Sequence, residues 1–289
     1  MFQNNKQPSY VKNFISDIKD GYFSKNGSEE LWRKSMGFIL KNSETMAFVL
    51  SVAAGSLLRK ALPETPGGVI HISGESSVGK TQVLRAAMSL RANPMDMTWC
   101  FDSVSTLKWY TVAADKNFLC LDDIHMAIIP DNGSAKPVPE LYLKQVCEQA
   151  PGYPQTTIFT VSTMPLKEFV KNSDSMIEIN TNLPNFTIWP YHADRDIWWM
   201  DEPMYHITNN YGFASELIEQ WISNKGFSIS STYGIIHERW LNTWNEYKGL
   251  NSSKQGLLLL SYLGEILLNE IIFSGKDGIE LQSFRKKLV

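Results

Sequence analysis

Gly74-Glu75-Ser76-Ser77-Val78-Gly79-Lys80-Thr81 sets two glycines, a lysine and a threonine at the spacing G-x-x-x-x-G-K-[ST]. A loop bounded by glycines can fold so tightly that its N–H groups point inward, where phosphates would sit at the positive end of the following helix. Lys80 would then reach the β and γ phosphates of a nucleoside triphosphate, and the Thr81 hydroxyl would ligate Mg²⁺. The competing reading is a chance glycine turn. With glycine near 7% of residues, the bare pattern arises by accident in about 1% of chains this long, before any flanking element is required.

A second group of oxygens follows about forty residues later, where the apolar run Phe118-Leu119-Cys120-Leu121 ends in Asp122-Asp123. This is the appearance of a Walker B strand. On a strand beside the P-loop strand, Asp122 would hold the Mg²⁺ shell, usually through water, and Asp123 would face the attacking water. Taken alone, the two aspartates could equally begin a solvated turn; the phosphate loop upstream favours the catalytic reading. Ser162-Thr163, at the polar end of an expected strand from Thr157, stand where a sensor hydroxyl would meet the γ-phosphate, and an ordinary strand end explains them as well.

These groups need a scaffold, and the pattern around them supplies one. Val69, Ile70 and Ile72 make a short β-branched strand before the loop, and Val83, Leu84, Ala87, Met88 and Leu90 form a helical stripe after it. Pro63, Pro66, Gly67 and Gly68 break the chain just ahead. Residues 1–28 read as a polar leader, 29–66 as two helices packed under the sheet with Met46, Leu50, Ala53 and Leu57 along one face, 67–212 as the P-loop core, and 213–289 as a helical lid. Within the core, Met97–Phe101 is expected as a strand, Ser105–Ala114 and Leu141–Gln149 as helices, and Pro130–Glu140 as a proline- and glycine-rich loop carrying Lys136. The lid is expected to hold helices at Ala214–Ser223, Ile235–Tyr247 and Gly256–Phe273.

Among the 289 residues, 27 lysines and arginines face 30 aspartates and glutamates, a net charge of −3. No global basic field attracts nucleic acid, so such a contact needs a local patch or several subunits pooling theirs. Cys100, Cys120 and Cys147 lack CxxC spacing and read as free thiols in a reducing cytoplasm, with no metal site among them. The N-terminus lacks the apolar core of a signal peptide, and the longest uncharged apolar run, Thr45–Leu58, is short for a bilayer, so no membrane role is expected. Trp189, Tyr191, Trp198, Trp199 and Tyr205 crowd one segment. Base stacking there competes with core or interface packing, which the interspersed Asp194, Asp196, Asp201 and Glu202 favour.

Taken in order, Leu31-Trp32-Arg33 after a glycine turn, the apolar helix to Leu62, GESSVGKT, LDDI, the strand ending in Ser162-Thr163, and LLLLSYLGEI resemble one family. It is catalogued as domain of unknown function nine-two-seven, P-loop ATPase domains of mobile elements found beside primase and helicase functions. The resemblance spans roughly residues 25–280 and implies a RecA- or AAA-like core acting on DNA. It carries Gly74, Gly79, Lys80 and Thr81 onto the phosphate loop, Asp122 onto the metal carboxylate, and Ser162 and Thr163 onto the block after the next strand. Asp123 departs from the pattern, which has glutamate there. Its carboxylate is one methylene shorter, leaving open slow hydrolysis through a bridging water or a switch that seldom cleaves ATP. The segments before TIWPYHAD and LLLLSYLGE also lack the expected arginine, and Arg195 becomes the candidate to reach a neighbour's γ-phosphate.

The expectation is thus an α/β P-loop NTPase with a parallel sheet flanked by helices and a C-terminal helical lid. Its cofactors would be ATP, bound by residues Gly74 to Thr81, and Mg²⁺, held by Thr81 and Asp122. Its partners would be single-stranded DNA threaded through a homo-oligomeric ring, a hexamer among the ring sizes, and a primase. Lys80, Asp123, Ser162, Thr163 and Arg195 would carry catalysis. A nucleotide-dependent switch or assembly factor is the alternative, and a small-molecule kinase stands third.

Overall fold

The computed structural model describes residues 23–58, 65–96, 98–100, 117–123, 128–131, 134–137, 156–165, 176–189, 200–224, 247 and 249–289. Two helices come first, α1 (Glu29–Asn42) and α2 (Glu44–Leu57). Ser28 Oγ accepts the Leu31 N–H at 3.3 Å to cap α1, and Glu29 and Glu30 complement the positive end of the helix. Trp32, Met36, Ile39 and Leu40 recur on its buried face. Ser43 ends α1 through its N–H on Ile39 and starts α2 by accepting the Met46 N–H at 3.2 Å. The expected one-sided stripe on α2 is in fact burial all round, since every residue from Thr45 to Ser56 is inside.

The reason lies at the other end of the chain. Helix α6 (Ser252–Phe273), which the sequence reading put in a lid, runs along α2 and touches the central strands. A Cβ on Gly55 would overlap the Leu260 carbonyl, and one on Gly264 would overlap the Ser51 carbonyl, so the two backbones meet with no side chain between them. By length and composition α6 could cross a membrane, unlike the shorter run noted in the sequence, but most of it is buried within this fold. The short α7 (Gln282–Lys287) closes on the same core. Phe284 lies between Phe48 and Phe186, and buried Arg285 pairs with Glu265 at 2.6 Å.

The sheet has five parallel strands in the order β2-β3-β6-β1-β7: β1 (Gly68–Ser73), β2 (Thr98–Cys100), β3 (Phe118–Asp122), β6 (Thr157–Ser162) and β7 (Met176–Asn180). Strand β1 is buried over its whole length, as parallel strands covered on both faces are. Register aligns the carboxyl ends, with Ser73 opposite both Ser162 and Asn180, and Cys100 opposite Asp122. Helix α3 (Lys80–Met88) follows β1, and α4 (Asp201–Asn209) and α5 (Ala214–Asn224) follow the sheet. All five expected apolar residues after the loop, Val83 to Leu90, are buried.

Three expectations about the strands change. The strand bearing Asp122 is not beside the P-loop strand: β6 intervenes, pairing with β1 on one side and β3 on the other. Strand β7, unanticipated, takes the other flank of β1. The expected loop at Pro130–Glu140 contains an antiparallel hairpin, β4 (Ile128–Asp131) with β5 (Ser134–Pro137), for which Asn132-Gly133 is a two-residue turn signal. Helices expected at 105–114, 141–149 and most of 235–247 lie outside the described residues, as do most of the leader and Cys147. Cys120 is a buried free thiol, its pKa pushed up chiefly by burial.

Candidate active site

The loop from Gly74 to Gly79 leaves β1 at the carboxyl edge of the sheet, where parallel α/β sheets place their ligands. Gly74 and Gly79 have φ values of 141° and 94°, which explains the residue type at both fixed glycine positions. Gly79 caps α3 without a side chain, so no side-chain oxygen satisfies the first N–H groups of that helix. The exit of β7 braces the loop's entrance. Thr181 Oγ1 donates to the Ser73 carbonyl at 2.9 Å, and Asn182 Oδ1 accepts the Glu75 N–H at 3.0 Å.

Lys80 is nearly buried and folds back over its own loop, donating to the Gly74 carbonyl at 2.9 Å and to that of Glu75. Burial lowers its pKa, while the charges of Asp123 and Asp122 act the other way. The Thr81 hydroxyl donates to Asp122 Oδ1 at 3.1 Å, joining the two oxygen groups picked out in the sequence. Burial raises the Asp122 pKa, opposed by that hydrogen bond. Asp122 Oδ1 also accepts the Asp123 N–H at 3.1 Å, and Asp123 takes a left-handed backbone with φ 46°, which short polar residues tolerate best.

Thr81 and Asp122 suit a magnesium ion. Oxygens that share an octahedron with metal bonds of 2.0–2.1 Å lie about 2.9 Å apart, close to this pair's separation. Among the described residues no group of three or more histidines, cysteines or carboxylates could cage a metal. Magnesium commonly takes only one or two protein ligands and fills the remaining positions with water and phosphate.

The cleft above the loop has a volume of about 580 Å³ and is lined by Gly79, Lys80, Thr81, Asp123, Thr163 and Trp189, among others. A larger hollow of about 730 Å³ between α1, α4 and the end of α6 lacks the convergence of loop, lysine and carboxylate, so the smaller cleft is the chemical candidate. Ser162 and Thr163 part company. Ser162 is buried and its Oγ accepts the Met164 N–H at 3.0 Å, whereas Thr163 is exposed on the cleft. Arg195 lies outside the described residues.

Two residues near the site were not singled out in the sequence. His71, fully buried on β1, sets Nε2 2.9 Å from the Met164 carbonyl and Nδ1 2.9 Å from Thr160 Oγ1. A carbonyl only accepts, which assigns the proton to Nε2 and makes the Thr160 hydroxyl donate to Nδ1. Burial lowers the His71 pKa and favours this neutral ring. The ring thereby ties the P-loop strand to the turn that carries Thr163; a lone polar residue within Val69-Ile70-His71-Ile72 was the available signal. Glu178 on β7 is the second, accepting from Ser73 Oγ at 2.7 Å.

Residues 3–107 match the family model described as Domain of unknown function (DUF927). The match starts inside the expected leader, contains the phosphate loop and stops before β3. No curated protein matches the sequence. The fold is similar to that of SCCmec type IV Cch, an active helicase, with a TM-score of 0.67 over 91% of this chain at 15% identity. The two share an α/β fold. The chain covers 50% of that protein, so it spans about half its relative's length, and an identity this low speaks for the fold alone.

Proposed function

We propose that the chain is a Mg²⁺-dependent ATPase whose turnover drives movement or remodelling of DNA, as one subunit of a ring working in the cytoplasm beside a primase of a mobile element. The observation that carries the reading is the Thr81–Asp122 contact, which brings together hard oxygens 41 residues apart at the mouth of a glycine-bounded loop. The family-model match and the helicase-like fold support the DNA context.

In this mechanism the loop's N–H groups and the Lys80 ammonium hold the triphosphate and neutralise charge that grows in the transition state. Thr81 and Asp122 would hold magnesium, which would supply Lewis-acid charge to the phosphates. Asp123 orients the attacking water, directly or through a second water, while Thr163 donates to the γ-phosphate. Ser162 acts on Thr163 by fixing the turn. Arg195 is the candidate supplied to a neighbouring subunit. With a net charge of −3, a grip on DNA requires several chains to pool their cations around a pore, and so weakens steeply with salt.

The deciding measurement is the ATPase rate with and without single-stranded DNA over a range of protein concentration. A motor is stimulated by DNA and by assembly. A rate indifferent to both leaves the switch or assembly factor, a reading that the short carboxylate of Asp123 favours. Asp123→Glu separates the two further. Lengthening the carboxylate should raise turnover roughly tenfold without tightening nucleotide binding, because the change acts on the water and not on the phosphates. A fall in rate would mean that Asp123 already reaches its water.

A further inference from the structure

The loop cleft has a wall that the P-loop motif does not account for. A Cβ added to Gly79 would overlap Trp189, and the first atom struck is the indole Nε1, followed by the adjoining Cε2 and Cζ2. The nitrogen side of the indole is therefore the part of Trp189 nearest the loop. Trp189 is partly buried, packs on the core and lines the cleft with Lys80 and Thr81. An indole nitrogen donates and cannot accept. In this protein Trp221 shows the ordinary outcome, its Nε1 donating to Glu270 Oε2 at 3.0 Å, whereas Trp189 Nε1 forms no hydrogen bond among the described residues.

A donor that forms no hydrogen bond among the described residues thus stands where other donors already converge, the uncapped N–H groups opening α3 and the Lys80 ammonium. Such a cluster is completed by an oxyanion. We propose that Trp189 is a phosphate ligand of the nucleotide site, its Nε1–H donating to an oxygen of the bound triphosphate chain. The inference rests on the phosphate-loop reading of Gly74 to Thr81. It assigns the indole to the phosphates and not to the base, so the residue serves affinity for the triphosphate and leaves base choice to other groups. It also explains why the position opposite must be glycine: any side chain at residue 79 would stand between the indole and the loop.

The test measures dissociation constants of Mg²⁺-ATP and of inorganic tripolyphosphate for the wild-type chain, Trp189→Phe, Trp189→Ala, Trp189→His and Lys80→Ala, with apo melting temperatures as a check on folding. Trp189→Phe keeps an aromatic ring and removes the donor; it should weaken both ligands by about tenfold, the effect of one charge-assisted hydrogen bond, with apo melting little changed. Trp189→His restores a ring N–H and should recover part of that loss. Wild-type affinity in Trp189→Phe overturns the proposal, as does a loss confined to ATP in Trp189→Ala, which would make the ring a platform for the base. Tighter binding of both ligands by Trp189→Ala overturns it too, because the indole would then be an obstruction. If the wild-type chain binds neither ligand, or Lys80→Ala binds both unchanged, the phosphate-loop reading itself fails and takes this inference with it.

Discussion

Lys80→Ala should reduce ATP turnover by roughly a hundredfold or more while the protein stays folded, since a donor placed against developing transition-state charge commonly contributes that much. The ammonium is held over the loop by the carbonyls of Gly74 and Glu75, so it needs little reorganisation to face a phosphate chain. Folding does not depend on it in the same way. The loop keeps its brace on the β7 side, where Thr181 holds the Ser73 carbonyl and Asn182 the Glu75 N–H. Steady-state turnover and a thermal melt on the same sample separate the two effects. Turnover at the original rate would place ATP hydrolysis somewhere other than this loop.

The second large effect is on stability. Gly264→Ala would ordinarily stabilise an exposed helix by about 1 kcal/mol. Here it should destabilise by about 3 kcal/mol, because the new methyl overlaps the Ser51 carbonyl and crowds the Gly55 N–H, both backbone atoms that cannot rotate aside. That corresponds to a melting temperature lower by roughly 5 °C for a chain of this size. Gly37→Ala, on α1, is the control. Its methyl would meet only side-chain atoms, Ile272 Cγ2 at 3.2 Å and Phe273 Cε1 at 3.3 Å, which can shift, so the melt should barely move. Equal losses from the two substitutions would contradict the close approach of α2 and α6.

The elements around the phosphate loop are legible in the sequence because their determinants are local. Two glycines mark positive φ, a β-branched run precedes them, and apolar residues recur at helical spacing afterwards. The contact between Thr81 and Asp122 is approached the same way, from the residue types that a magnesium ion requires. Strand order is another matter. Which parallel strand sits beside which is decided by packing across the whole chain, so the insertion of β6 between β1 and β3 leaves no mark on either segment. Strand β7 is short and carries Glu178, a residue that weakens its signal although Ser73 satisfies it. Helix α6 announces burial through apolar residues on every side, but only the fold reveals that α2 is what covers it. Trp189 hides among neighbouring aromatics; its distinction is the glycine it touches, over a hundred residues earlier in the chain.

The insertion of β6 has a consequence for how the protein is made. His71 on β1 reaches Thr160 across 89 residues, Ser73 reaches Glu178 across 105, and Glu75 reaches Asn182 across 107. These three braces of β1 and its loop therefore arrive long after the loop itself has been made. A nascent chain ending near residue 150 carries the complete Gly74–Thr81 motif but lacks both strands that flank β1. Pairings this distant in sequence form slowly, since the intervening chain must be closed before they contribute. On the proposed function, nucleotide would then stabilise the finished protein, by mass action on the native state, rather than the partly made chain. The interval before β7 emerges leaves the apolar flanks of β1 uncovered, the kind of exposed strand edge that is prone to aggregate during synthesis.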